Sequence, residues 1–120
     1  MRLFATLALV LPLAACGGGS RSSGGGTELE VTVWPSGRDR PATSHRITCP
    51  ADERCDRLLA LPERVFEPLP AGIGCTQIYG GPDVAEVRGT IGGRQVDATF
   101  ERTDGCEINR WNQVAFLLSP

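Results

Sequence analysis

The sequence has no lysine, a single histidine and little net charge. All 12 basic residues are arginines, set against 14 acidic residues, and the formal net charge is −2. The two signs are mixed along the chain, without the basic stripe of a nucleic-acid-binding protein or the acidic tail of a cation store. His45 has no serine or cysteine motif beside it, so we expect no nucleophile and base pair. We therefore predict a protein that is not an enzyme, needs no cofactor and binds no nucleic acid.

Cysteine pairs at zinc-binding spacing are also missing. The chain has five cysteines, and none forms the Cys-x-x-Cys-like pair that a structural zinc site requires. One of them lies near the N-terminus, which leaves an even number for disulfides in an oxidising compartment. Four cysteines allow three pairings, and their positions along the chain favour Cys49 with Cys55 and Cys75 with Cys106. We predict two disulfides and no metal.

Only one long apolar run is present, and it lies at the N-terminus. Arg2 precedes the apolar residues 3–13, and the run ends in LAAC (13–16). It is too short for an ordinary transmembrane span and has the order of regions of an export signal. The pattern resembles the lipobox of bacterial lipoproteins, in which the signal is cleaved before a cysteine that carries diacylglycerol. We expect residues 1–15 to be the signal peptide and Cys16 the lipidation site; an ordinary signal peptide with an incidental cysteine is the alternative.

The anchor and the composition that follows it define the domain organisation. Two or more acyl chains hold a protein stably on a membrane, so we expect an exported chain anchored at the extracytoplasmic face of the cell membrane. The segment GGGSRSSGGG (17–26) cannot bury apolar area and is typical of a flexible tether, so residues 16–26 form the lipidated cysteine and its linker. Residues 27–120 then form one small domain, of the size that commonly needs covalent cross-links for stability.

The first half of this domain contains two strand patterns and one helix pattern. ELEVTVW (28–34) alternates polar and apolar residues, which predicts a half-buried strand. Residues 45–49 predict a second strand that ends at Pro50. Residues 52–61 have helical spacing, with Asp52 placed as the N-terminal cap and Cys55, Leu58, Leu59 and Leu61 on one side.

The second half predicts a loop, a hairpin and a last strand. Residues 62–74 are rich in proline and glycine and predict a loop, with Val65 and Phe66 packed inward. Residues 84–91 and 95–102 predict a hairpin turning at Gly92-Gly93. The apolar residues 113–118 predict a final strand. The expected fold is α+β, an antiparallel sheet of about five strands with one or two helices on one face. The residues of the second hairpin strand expected to share a face are Val96, Ala98 and Phe100.

Three segments carry a family resemblance: CTQIYGGP (75–82), VRGTIGGRQVDATF (87–100) and RTDGCEINRW (102–111). In order and spacing they resemble the subtilisin inhibitor-like family. ITCP (47–50) and CDRL (55–58) are similar to the first disulfide region of that family. The resemblance extends over about residues 29–118.

The resemblance implies a standard-mechanism inhibitor of secreted serine proteases, subtilisin-like or trypsin-like, that is usually a homodimer with the disulfide pairing given above. In the family, the reactive bond lies two residues after the cysteine that opens the Cys-x-x-x-Tyr segment. Carried onto this chain, Gln77 is the primary specificity residue and Gln77–Ile78 the scissile bond. The residues that would support the reactive loop are Cys75, Thr76, Tyr79 and Cys106.

Two features depart from the family pattern. Only residues 50–54 separate Cys49 from Cys55, where the family usually has a longer loop that helps to support the reactive region. Gln77 stands where Met, Lys, Arg or Leu is more frequent, and an apolar pocket would bury its amide at a cost of about 1 to 3 kcal/mol. The alternative function is a non-inhibitory envelope lipoprotein that keeps the fold and binds a partner protein through its sheet. The charged residues that would either brace the loop or lie on a solvated face are Arg102, Glu107 and Arg110.

Overall fold

The computed structural model describes residues 25–120, and the signal peptide, the lipidation site Cys16 and most of the tether lie outside the described residues. The described chain folds into four strands, two α-helices and one 3-10 helix. The strands are β1 (Glu28–Trp34), β2 (Thr43–Thr48), β3 (Val84–Ile91) and β4 (Arg94–Glu101). The helices are α1 (Cys55–Leu59), the 3-10 helix (Glu63–Phe66) and α2 (Gly105–Leu118).

The strands form one antiparallel sheet in the order β2-β1-β3-β4. Alternate residues of each strand face the same side of a sheet, and here the apolar set of every strand faces a single core. In β1, Leu29 and Val31 are buried while Glu28 and Glu30 are exposed. Helix α2 and the 3-10 helix cover this apolar face. The core cluster is Leu29, Val31, Ile47, Leu58, Val65, Phe66, Ala85, Val87, Val96, Ala98, Phe100, Val114, Leu117 and Leu118.

The strand predicted over residues 113–118 is wrong, because this segment is the C-terminal part of α2. Val114, Leu117 and Leu118 are buried and follow the spacing of one helix face, whereas a strand would have buried alternate residues. A short apolar run does not distinguish the two periods by itself. The sheet therefore has four strands, where about five were expected.

The helix predicted over residues 52–61 is shorter than expected. It spans Cys55–Leu59, and Asp52 is not its cap, since Arg54 occupies the N-cap position. The carboxylate of Asp52 instead accepts a hydrogen bond from the Arg54 backbone N–H at 2.9 Å, closing the turn before the helix. Of the residues expected to share one side, Cys55 and Leu58 are buried but Leu59 is 55% exposed.

Other predicted features are confirmed. The hairpin β3–β4 turns at Gly92 and Gly93, whose φ angles of 56° and 78° need glycine. Val65 and Phe66 are buried within the predicted loop, where they form part of the 3-10 helix. Both predicted disulfides are present, Cys49–Cys55 and Cys75–Cys106. Within residues 25–120, no helix has the length and apolar character needed to cross a membrane.

Candidate functional site

The loop between the 3-10 helix and β3 displays its middle residues to solvent. Ile78 is 59% exposed and Tyr79 66%, the highest values among the large apolar side chains of residues 25–120. Gln77 is exposed beside them, and its amide Nε2 donates to the Cys75 carbonyl at 3.3 Å. The residues predicted from the resemblance to flank a reactive bond thus lie side by side on the surface.

The N-terminal side of this loop is held to the start of α2 by two bonds. A disulfide joins Cys75 to Cys106, with their Cα atoms 5.4 Å apart. Next to it, the Gly105 backbone N–H donates to the Thr76 carbonyl at 2.9 Å. The chain is therefore fixed at the residue immediately before Gln77.

The close approach of Thr76 to α2 requires the glycine at position 105. A Cβ atom built on Gly105 overlaps the Thr76 hydroxyl and lies 3.2 Å from the Thr76 Cβ. The helix itself begins there because the Asp104 side chain accepts a hydrogen bond from the Glu107 backbone N–H at 2.9 Å. Asp104 and Gly105 together place the helix start against the loop.

The C-terminal side of the loop is held by Arg102, just after β4. The Gly80 backbone N–H donates to the Arg102 carbonyl at 2.7 Å. The Arg102 guanidinium reaches Asp83 at 3.2 Å and lies 6.0 Å from the centre of the Trp111 ring. Arg102 thus braces the loop with both its backbone and its side chain, as one of the two sequence interpretations expected.

Together these contacts hold the exposed residues 77–79 between two fixed points. Both fixed points belong to one short segment, residues 102–106, which runs from the end of β4 into the first turn of α2. Because a loop held in this way is already ordered, it loses less conformational entropy when it binds a partner. The arrangement suits a ligand that displays one peptide bond to a binding cleft.

A group of potential metal ligands lies under the loop but is not available to a metal. One ligand atom each from Cys75, Asp104 and Cys106 lies within 4.8 Å of the others. The two sulfur atoms are bonded to each other in the disulfide, and a metal-binding cysteine must be a free thiolate. Asp104 then remains as a single carboxylate that caps α2.

Arg110 and Glu107 do not brace the loop. Arg110 is only 5% exposed, and its guanidinium donates to the carbonyls of Val65 at 2.9 Å and Thr99 at 2.6 Å. It also lies 4.3 Å from the centre of the Phe100 ring and 3.6 Å from a Glu107 carboxylate oxygen. Burial lowers the pKa of Arg110 and raises that of Glu107. Arg110 joins the 3-10 helix, β4 and α2, a structural role that the sequence pattern did not indicate.

His45 lies at the C-terminal end of α2, away from the loop. Its Nε2 is 2.8 Å from the Leu117 carbonyl, and Arg54 donates to the Ser119 carbonyl at 2.5 Å. Arg54 also binds Asp52 at 2.8 Å, and hydrogen bonds from its side chain and backbone lower the pKa of Asp52 to about 2. The last turn of α2 has no basic residue of its own, so cationic and polar groups from other elements satisfy its carbonyls.

The comparisons with known proteins name no relative. A scan of protein-family models, a search of curated proteins and a search of solved structures each gave no match. The resemblance to the subtilisin inhibitor-like family rests on the segments given above.

The described chain begins at the opposite end of the sheet from this loop. The Gly93 backbone N–H donates to the Gly26 carbonyl at 3.0 Å, and the Gly92 N–H donates to the Thr27 hydroxyl at 2.9 Å. These contacts lie at the β3–β4 turn, whereas the contact of the loop with Arg102 lies at the other ends of both strands. At about 3.3 Å per residue, the length of β3 puts roughly 23 Å between the two ends.

Proposed function

We propose that this protein inhibits serine proteases of the subtilisin-like or trypsin-like class, with Gln77–Ile78 as the reactive bond. The observation that carries the proposal is the combination of exposure and restraint in one loop. Ile78 is 59% exposed, while hydrogen bonds at Thr76 and Gly80 hold the chain on either side. Exposed loop tips without such restraints are preferred sites of proteolytic cleavage.

The chemistry follows the standard mechanism of such inhibitors. The protease serine attacks the carbonyl carbon of Gln77, which forms an acyl-enzyme and releases the amine of Ile78. The Cys75–Cys106 disulfide and the Gly80–Arg102 hydrogen bond hold the two new ends together. The amine therefore stays next to the ester carbonyl and reforms the peptide bond, so that the protease remains occupied.

The test is a titration of subtilisin-like and trypsin-like proteases with the full chain in detergent. We expect stoichiometric inhibition whose target preference follows residue 77, compared among wild type, Gln77→Met and Gln77→Lys. Leu59→Ala is the control, because Leu59 is an exposed residue on α1, outside the loop. If no protease is inhibited with any residue at position 77, while the fold and both disulfides are intact, inhibition is not the function.

The alternative function, a binding module, would use the open face of the sheet. One row across the four strands carries Arg46, Glu30, Arg88 and Asp97 in register. These charges pair with one another, with Arg46 3.5 Å from Glu30 and Arg88 3.1 Å from Asp97. A partner would have to replace these pairs, so the loop is the better-supported site.

The homodimer that the resemblance implies would use the same face of the sheet. Sedimentation velocity, which distinguishes a monomer from a dimer, tests this part of the proposal.

The anchoring part of the proposal places the inhibitor on the extracytoplasmic face of the cell membrane through a lipid on Cys16. Because the described chain begins at the end of the sheet opposite the loop, such an anchor would attach to the domain at the end away from Gln77 and Ile78. Cys16→Ser should release the protein from membranes. Continued membrane association of this variant would refute the lipid anchor without affecting the inhibitory loop.

A further inference from the structure

The two sides of the proposed reactive bond differ in chemical character. The residues before the bond are small or polar, namely Gly74, Thr76 and Gln77. The residues after it, Ile78 and Tyr79, have the two most exposed large apolar side chains of the described chain. A protease that binds this loop therefore meets a polar side chain in its specificity pocket and an apolar surface on the leaving side.

From this asymmetry, and resting on the proposed function, we infer that the target is a serine protease with a hydrogen-bonding specificity pocket, and that Ile78 and Tyr79 supply most of the apolar contact. An apolar pocket of the kind that takes Met or Leu is the wrong complement for Gln77. The inference therefore names the class of partner that this loop recognises.

The Gln77 amide must find new hydrogen-bond partners when the loop binds. In the free protein its Nε2 donates to the Cys75 carbonyl across 3.3 Å. Strand-like binding uses the main-chain carbonyls of the loop for bonds to the protease, and the side chain turns into the specificity pocket. The amide, with two donors and an acceptor, then depends on the groups that line that pocket.

The cost of a mismatch decides between the two kinds of pocket. Burying an unpaired amide in an apolar pocket weakens binding by a factor of about 5 to 150. A pocket built to hydrogen-bond its ligand pairs the amide and discriminates strongly against a side chain that cannot form the bonds. Gln77 thus selects a pocket with donors and acceptors over an apolar one.

The other exposed apolar residue of this loop is oriented differently. Ile73 is 45% exposed and lines a cleft with Pro68, Leu69 and Pro70 on the α2 side. It precedes the disulfide that restrains Cys75 and lies outside the displayed residues 77–79. It therefore serves as a matched control for the apolar contact that we assign to Ile78 and Tyr79.

The experiment compares inhibition constants of the full chain for two proteases: a serine endopeptidase selective for glutamate or glutamine, and a subtilisin with an apolar pocket. We expect wild type to favour the first by at least about 10-fold and Gln77→Met to reverse the order. Gln77→Glu should keep the wild-type order. Ile78→Ala and Tyr79→Ala should each weaken inhibition of the preferred protease by about 10-fold or more, with Ile73→Ala within about 3-fold of wild type.

Each result has one meaning for the inference. The inference is overturned if wild type inhibits the apolar-pocket subtilisin as strongly as the protease selective for glutamate or glutamine. It is also overturned if Ile73→Ala weakens inhibition as much as Tyr79→Ala does. If Gln77→Met inhibits the subtilisin and wild type inhibits neither protease, the inference fails while the proposed function holds. If no variant inhibits either protease, the proposed function fails together with the inference.

Discussion

The carbonyl of Thr76 accepts a hydrogen bond from the backbone N–H of Gly105 at 2.9 Å, and this contact joins the candidate reactive loop to the first turn of α2. The two residues are far apart in sequence and meet because the Cys75–Cys106 disulfide lies directly beside them. The disulfide and the hydrogen bond connect neighbouring residues on both segments, Cys75 and Thr76 in the loop and Gly105 and Cys106 in the helix. Together they restrain both the position and the direction of the loop.

Gly105→Ala should separate the loop from the helix. Its Cβ overlaps the Thr76 hydroxyl, whereas alanine is the better helix former by about 1 kcal/mol. We expect the domain to stay folded by circular dichroism, while cleavage between Gln77 and Ile78 by excess protease becomes at least about 10-fold faster. Adding Thr76→Ala removes the overlapping hydroxyl and should restore part of the resistance. Unchanged cleavage in Gly105→Ala would show that the Thr76 contact does not restrain the loop.

The two disulfides should differ in their effects on stability and on the loop. Cys75 and Cys106 are 31 positions apart in the sequence, whereas Cys49 and Cys55 are 6 apart. The chain-entropy model therefore gives about 3 to 4 kcal/mol for the first disulfide and about 2 kcal/mol for the second. Replacing each pair with serine and measuring urea unfolding tests the order. Only loss of Cys75–Cys106 should also turn the loop into a rapidly cleaved substrate. Equal cleavage of both variants would contradict a specific restraint.

Acid should weaken the contacts around the C-terminal end of α2. Hydrogen bonds from Arg54 lower the pKa of Asp52 from 3.8 to about 2, so the folded state holds the charged carboxylate more strongly than the unfolded state does. This stabilisation is fully present above pH 4 and is lost as the pH falls from about 4 to 2. The measurement is the urea midpoint at pH 6, 4, 3 and 2.

Asp52→Asn should flatten that acid-induced loss, because the variant has no carboxylate to protonate at this position. Asp56→Asn is the matched control, since it removes an exposed carboxylate from the first turn of α1. The control should retain the wild-type dependence on pH. An Asp52→Asn profile identical to that of wild type would remove Asp52 from the explanation.

Arg110→Met should destabilise the fold by about 2 to 4 kcal/mol without directly changing the loop. The variant leaves the buried carbonyl of Val65 and the partly buried carbonyl of Thr99 without the donors that they have in the wild type. Arg64→Met, which changes an exposed arginine of the 3-10 helix, should have an effect below about 0.5 kcal/mol. Urea unfolding compares the two. A loss below 1 kcal/mol for Arg110→Met would mean that the buried guanidinium is readily replaced by an apolar side chain.

Local pattern alone was sufficient to predict most of the sheet. The alternation in ELEVTVW (28–34) predicted β1 at its observed bounds, and the Gly92-Gly93 pair predicted the turn of the hairpin. Both signals depend on neighbouring residues only, since one reports the period of a strand and the other a backbone conformation that glycine adopts readily. The disulfide pairing also followed from the positions of the cysteines.

Tertiary structure decided the features that depend on distant residues. The apolar run 113–118 became helix because α2 starts at the Asp104 cap and packs Val114 and Leu117 into the core. The same packing buried Arg110, whose acceptors come from the 3-10 helix and from β4. The sequence by itself, through the family resemblance, determined the position of the candidate reactive bond, Gln77–Ile78. Only the folded chain, by bringing Arg102 and Gly105 to the two sides of the loop, showed that this segment is held in place.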